Sequence, residues 1–501
     1  MRFSSPVALA FGLACVSNAA SILFTDATII AWNNENSRIE VLHNSSLLIE
    51  GDEIKEIYRG TTPDSISNDT ETIDATGKII SPGFIDTHHH LWQTAFKTIA
   101  SNTTLAEYFQ RYGEFGPSIQ NFSPEDKYLG QLTGSLECIN AGTTTVLDHA
   151  HGDSDDETSD AIFNATLDSR LRTVHAYAIH ELPNNYTLEE QMRKLVALKR
   201  DPRLSSNSLV TVGLAFDAFD NSPSDLIQQL WDIVQRENLS AVTTHTLSGP
   251  WAIGNTPSLL NTLGWLNTST PVIFSHASFI TPSDFTALRH TNQYISTTPE
   301  SELHYGHLHP VAHLIQDQAA LGIDTHFTFS TDMLTQARLW LQRLRAHAYN
   351  PILIDSQRIP LNNPMSTTQA FHLITRAGAL ALRRPDLGIL ARGAKADVVV
   401  FDGDSPGMLG WEDAVAALIL HANVGDVRHV VVGGEWVKRD GRVLFEGYGE
   451  VKKRFLGSAR RIQRGWGERG WEGLGGALWR GVTEWGATRE VDVVRGEGTG
   501  Y

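Results

Sequence analysis

The sequence predicts an α/β fold, a (β/α)8 TIM barrel with a small β-sandwich domain formed by both chain ends. Three observations carry this. Short apolar, β-branched runs alternate with segments of helical spacing through the middle of the chain. Potential metal ligands close several of these runs, at the carboxyl ends where such a barrel gathers its chemistry. On either side of that middle the texture changes to strands and turns.

Taken in order, residues 21–80 read as strands: Ala27-Thr-Ile-Ile-Ala31, Ser46-Leu-Leu-Ile-Glu50, Glu53-Ile-Lys-Glu-Ile-Tyr58 and Thr72-Ile-Asp-Ala-Thr-Gly77, with Gly51-Asp52 suited to a hairpin turn. Barrel strands are expected near 80–88, 143–149, 172–180, 208–216, 240–245, 271–276, 293–298 and 326–331, within a barrel domain over 81–388. Helical spacing separates them at 125–140, 157–170, 188–200, 223–237, 281–290, 310–320 and 335–348. Residues 389–447 return to strands, at 397–401, 427–434 and 435–438, and supply the second part of the sandwich. The tail at 448–501 is rich in Gly, Arg and Trp without a steady period, and reads as a poorly ordered extension.

The most informative stretch is Asp86-Thr87-His88-His89-His90, directly behind Ile79-Ile-Ser-Pro-Gly-Phe-Ile85. On a strand His88 and His90 share one face and His89 takes the other, which places the two Cα atoms roughly 6.5–7 Å apart. Two imidazoles close that span over one metal ion. A lone His-x-His is weak, but later strands end in His245, His276 and Asp332, in that order.

On these residues the chain resembles the amidohydrolase superfamily, in the branch of cytosine deaminases and triazine hydrolases. The matching pieces are Ser81 to Gln93, Ala141-Gly-Thr-Thr-Thr145, His245, His276, Ser330-Thr-Asp332 and the closing segment from Thr375 to Asp402. The resemblance spans roughly 21–447 and implies metal-assisted hydrolysis. One divalent ion, zinc with iron or manganese as alternatives, is expected on His88, His90, His245 and Asp332. Asp332 is expected to take the proton of the attacking water, and His276 to polarise the substrate, touch that water or serve as an alternative ligand. Asp86 is expected to support the first histidines. Relatives with two ions bridge them through a modified lysine ending the fourth strand. Residues 209–217 hold no lysine, so a single ion is expected. Deaminases of this branch place a glutamate three residues after the strand-five histidine, where this chain has Ser248. Glu300 or Glu302 could replace it, or the substrate needs no such acid.

Trp92 and Gln93 are expected to line the substrate pocket, Trp92 stacking on a planar ring or else packing on the first helix. His180 is either pocket wall or core. His304, His307 and His309 lie in a segment that resembles a substrate loop of the branch, with solvated loop residues as the alternative. Asp148-His149-Ala150-His151 mimics the first motif but has no further ligand set left to complete a site.

A formal net charge of −17 argues against nucleic acid and anionic membranes as partners; a small molecule is the expected one. Whether the chain self-associates as a homo-oligomer is left open. Residues 1–20 read as a secretory signal peptide: Arg2, an apolar stretch from Pro6 to Val16, and the small-residue exit Ser17-Asn-Ala-Ala20. Asn-x-Ser/Thr sequons at Asn44, Asn68, Asn102, Asn121, Asn164, Asn185, Asn238 and Asn267 agree with a secreted glycoprotein. Cys15 leaves with the signal, so Cys138 has no intrachain partner. The function expected is hydrolysis of a non-peptide C–N bond in a small molecule, cyclic or open-chain. The alternatives are an aminohydrolase (deaminase) of a nucleobase-like heterocycle and a non-catalytic metal-binding glycoprotein.

Overall fold

The computed structural model describes residues 21–471 apart from 62, 64–65 and 308–310, and beyond them 473–474, 478–479 and 483–484. The expected signal segment and His309 lie outside the described residues.

Eight parallel strands, hydrogen-bonded in chain order, form the barrel. They are Phe84–His89, Thr143–Ala150, Arg172–Ala178, Val210–Ala215, Val242–Leu247, Val272–Ser278, Tyr294–Thr297 and Ala319–Leu321. The ring closes where the N–H groups of Ile323 and Asp324 donate to the His88 carbonyl (3.1 and 2.8 Å) and the His90 N–H donates to that of Asp324 (3.0 Å). The eighth strand therefore lies upstream of its expected place. The segment 310–320, read as helical by its spacing, instead runs into this strand at Ala319. Gly322 explains the choice: a Cβ there would lie 2.8 Å from the His88 nitrogen, so only glycine lets the last strand meet the first. The alternating Thr-His-Phe-Thr-Phe-Ser of 325–330 has the pattern of a strand but forms turns.

Helices between the strands begin where hydroxyl or carboxylate side chains cap them. Ser123 accepts from the Asp126 N–H before Pro124–Asn140, and Asp155 and Thr187 do the same before Asp156–Asp168 and Leu188–Lys199. Among the described residues, no helix is long and apolar enough to cross a membrane.

Both chain ends build one nine-stranded sheet. Val398–Asp402 runs antiparallel to Lys78–Pro82, pairing Val400 with Ile80. Phe24, Ile29, Leu47, Ile80, Val398 and Val431 form a core distinct from that of the barrel. A buried Arg172–Asp397 pair, with two bonds of 2.8 and 2.9 Å, ties the domains together.

The first part of the tail, Tyr448–Glu468, departs from the poor order expected of 448–501. Tyr448–Glu468 is a helix that buries Val451, Ala459, Ile462 and Trp466. Their spacing of about two, one and one turns is a helical stripe, obscured in the sequence by Gly449, Gly457, Gly465 and Gly467. Ile462 and Trp466 pack with Trp92, Phe96 and Phe122, beside the first barrel loop. Gln463 donates to the carbonyls of Ala95 and Lys97.

Candidate metal centre

The carboxyl ends of the strands bring four imidazoles together. From His88, ring centroids lie 4.8 Å away for His90, 4.9 Å for His245 and 5.1 Å for His276. The pleat delivers the first pair and turns His89 outward, where its Nδ1–H donates to Asp86 Oδ2 at 2.6 Å and its Nε2 pairs with His326. Asp86 Oδ1 accepts from the N–H of His88 and of Ile323, fixing the first strand to the chain that follows the eighth. Near the end of the sixth strand, His276 and Ala277 adopt positive φ angles of 65° and 54°, a disfavoured backbone for side-chain-bearing residues.

The carboxylate that joins these rings is Asp324. Its Oδ1 lies 3.2 Å from His90 Nε2 and 3.5 Å from His88 Nε2. Asp332, expected as ligand and base, sits elsewhere: it caps the helix Met333–Asn350, accepting from the Leu334 N–H (3.0 Å) and the Thr335 hydroxyl (2.7 Å). The misplacement follows from the strand shift, since Ser330-Thr-Asp332 mimics a strand end that Gly322-Ile323-Asp324 supplies.

The residues present fit a divalent ion. A tetrahedral ion with bonds of about 2.0–2.2 Å separates its ligand atoms by about 3.3–3.6 Å, which matches the two Asp324 contacts. His88 Nε2 is buried without a hydrogen-bond partner. The ligand atoms of His88, His90 and Asp324, and likewise those of His88, His245 and His276, lie within 4.8 Å of one another. The far nitrogens are held as such ligands require. His88 Nδ1 pairs with Ser275 Oγ (2.8 Å), His90 Nδ1 donates to the His149 carbonyl (2.8 Å), and His276 Nδ1 pairs with Thr298 Oγ1 (2.8 Å).

Asp217, just past the fourth strand, holds His245 twice, accepting from its N–H (2.6 Å) and its Nδ1–H (2.8 Å). His149 Nε2 lies 3.2 Å from the same carboxylate. Burial opposes a charge on His245, but Asp217 outweighs it and raises the ring to about 9. Burial, with His90 and His245 nearby, pushes His88 well below the usual histidine range. His88 is fully buried, whereas the side chains of His245 and Asp217 are 19% and 30% exposed, so solvent reaches the centre from their side.

Of the residues expected around the substrate, Trp92 is fully buried, donating to His151 Nδ1 at 3.1 Å with Lys127 Nζ 3.4 Å above its ring. It is a packing residue. Gln93 is also buried and donates to Tyr108 Oη and the Tyr112 carbonyl, tying down the covering loop. His180 is half-buried against Phe115, at 5.6 Å between rings. The helix Pro299–Tyr305 carries the remaining three. Glu302 is buried, accepts from the Thr298 N–H and lies 4.0 Å from His276 Nδ1. Burial raises it to about 8. Glu300 instead pairs with Gln336, and His304 with the Thr103 carbonyl. His307 is buried 4.9 Å from the His276 ring, closer than His304 to the centre's own rings.

Asp324, Asp217 and Glu114 are absent from the expected set. Burial raises Glu114, whose charge is felt by Asp217, His245 and His90. A short apolar run ending in aspartate marked Asp324; nothing local marked Glu114, which lies in a loop.

The chain resembles known proteins along most of its length. The 5-methylthioadenosine/S-adenosylhomocysteine deaminase of Thermococcus kodakarensis is 26% identical over 433 residues, 83% of this chain and 93% of that protein. The 5′-deoxyadenosine deaminase of Methanobrevibacter smithii is 25% identical, covering 80% and 88%. In structure, a zinc-bound adenosine deaminase from Xanthomonas campestris superposes with a TM-score of 0.75 at 16% identity, over 88% of this chain and 98% of that one. Atrazine chlorohydrolase from Arthrobacter aurescens, also with zinc, gives 0.72 at 18% identity, over 87% and 100%. Residues 79–437 match the amidohydrolase family. The chain belongs to that family, and is an enzyme hydrolysing carbon–nitrogen bonds other than peptide bonds.

Proposed function

We propose that the protein is a metal-dependent aminohydrolase that releases ammonia from a purine-nucleoside-like heterocycle. The carrying observation is the convergence of His88, His90, His245 and Asp324 in a chain similar along most of its length to nucleoside deaminases. These four residues would hold one divalent ion, zinc first with iron or manganese as alternatives, and such an ion would supply water with a pKa lowered from 15.7 to about 7. Asp324 takes the proton of the attacking water and returns it to the leaving nitrogen. Thr298 fixes His276 Nδ1 and leaves Nε2 to hydrogen-bond the reacting substrate. With Ser248 at the expected glutamate position, Glu302, 4.0 Å from His276, is the carboxyl group we assign to the missing acid. We read the chain as secreted, on its amino-terminal segment and sequons.

Ser248 favours a second reading, hydrolysis of a cyclic amide whose opening needs no separate acid. One screen separates the two: ammonia release from 5′-deoxyadenosine, S-methylthioadenosine and S-adenosylhomocysteine, beside ring opening of lactams, each with and without chelator. Chelator-sensitive ammonia release is expected. Lactam opening without ammonia would transfer the assignment to the second reading. A metal-replete protein inert toward both groups sinks both.

A further inference from the structure

Eight sequons are not eight equivalent sites. Asn44, Asn68, Asn102, Asn121, Asn185, Asn238 and Asn267 are exposed, and all but Asn44 and Asn121 lie on turns, bends or loop ends. Asn44 and Asn238 hold φ angles of 47° and 50°, a conformation asparagine tolerates better than most residues. Asn164 differs. It is half-buried within the helix Asp156–Asp168, its amide oxygen accepting from Arg203 Nη1 at 2.8 Å, whereas Asn121 ends the helix Ser118–Asn121 exposed, its amide nitrogen donating to the Pro117 carbonyl at 2.6 Å.

Asn121 also stands at the rim of a polar groove of about 810 Å³ between the amino-terminal end of Pro124–Asn140 and the helix Tyr448–Glu468. Arg454 with Glu125, and Arg461 and Ser458 with Asp126, supply paired charges along the groove. Fixed guanidinium and carboxylate groups suit the many hydroxyls of a sugar better than an apolar ligand. Gly457 keeps the wall low: nothing lies within 4 Å of a Cβ placed there, although glycine costs a helix about 1 kcal/mol relative to alanine.

We infer that the seven exposed asparagines accept N-linked oligosaccharides, that Asn164 does not, and that the glycan on Asn121 lies in this groove. The inference rests on the secreted reading. In the transfer, the asparagine amide nitrogen bonds to C1 of the first sugar of a polyprenyl-diphosphate-linked oligosaccharide. The C1–oxygen bond breaks, the lipid diphosphate leaves, and the amide loses one proton.

The test is expression of the full chain through a eukaryotic secretory route, glycopeptide mapping, and timed release of glycans from the native protein by a peptide N-glycosidase. Seven occupied sites and an empty Asn164 are expected, with release at Asn121 at least tenfold slower than at Asn238. Gly457→Trp, which enters open space, should bring the two rates together. Occupied Asn164, empty Asn121, or equal release rates in the unsubstituted protein overturn the inference while leaving secretion intact. A chain that is retained and carries no glycan removes the secreted reading itself.

Discussion

Exchanging Asp324 and Asp332 in turn for asparagine separates the two candidate carboxylates. Asparagine matches aspartate in shape and caps a helix about equally well. Asp332→Asn therefore keeps the acceptor for the Leu334 N–H, 3.0 Å away, and should change stability by less than about 1 kcal/mol. Its metal content should be unchanged. At 324 the same substitution replaces an anionic oxygen 3.2 Å and 3.5 Å from two ring nitrogens by a neutral one. Loss of supporting groups behind metal ligands already costs about 10–100-fold in affinity or activity, and a direct ligand that also carries a proton should exceed it. We expect Asp324→Asn to lose at least about 10³-fold in turnover, about 4 kcal/mol of barrier, and to surrender its ion at a lower chelator concentration. Metal content by mass spectrometry during chelator titration, with activity on the same samples, reads both. An Asp324→Asn protein that keeps ion and turnover while Asp332→Asn loses them would refute the reasoning and return the centre to its sequence-based form.

Other outcomes follow from the packing. Lys127 is buried over Trp92, and desolvation lowers it from 10.5 to about 7. Between those values the unfolded chain binds the extra proton, so this lysine's penalty is full below pH 7 and fades as pH rises toward 10.5. After subtracting the cation–π contact, Lys127→Met should stabilise by about 2–3 kcal/mol near pH 6 and by nothing near pH 10.5; denaturant melts giving a pH-independent gain would contradict this. Gly322→Ala places a Cβ 2.8 Å from the His88 nitrogen and 2.9 Å from its oxygen. It should cost about 1–3 kcal/mol and lower metal content together with stability, whereas metal retention in a destabilised protein would detach the glycine from the centre. Trp466→Ala should cost about 3–5 kcal/mol and expose the segment around 91–121 to limited proteolysis; an unchanged digestion pattern would mean that the last helix does not clamp that loop.

The legible parts of this protein were those written in local pattern. Alternation on a single strand was enough to separate His88 and His90 from His89, because the pleat has a period of two wherever the strand is placed. Strand-end histidines at 245 and 276 were legible for the same reason. Local pattern also misled where two segments competed for one place. Ala319–Leu321 is short and alanine-rich, residues 325–330 alternate like a strand, and only closure against the His88 backbone selects the former. The aspartate of the centre moved with that choice, from Asp332 to Asp324. Trp92 shows a different limit: an aromatic residue next to a metal motif serves equally as wall or as packing, and the lysine and last helix that bury it are remote in sequence.

By itself, then, the sequence determined the barrel, the shared β domain and three of the histidines that converge at the candidate centre, since periodicity and strand-end chemistry are properties of neighbouring residues. The tertiary structure alone decided which carboxylate joins them, that Asp217 grips His245, and that residues 448–468 fold as a helix across the first loop. Those are contacts between segments tens to hundreds of residues apart, chosen by ring closure and by burial.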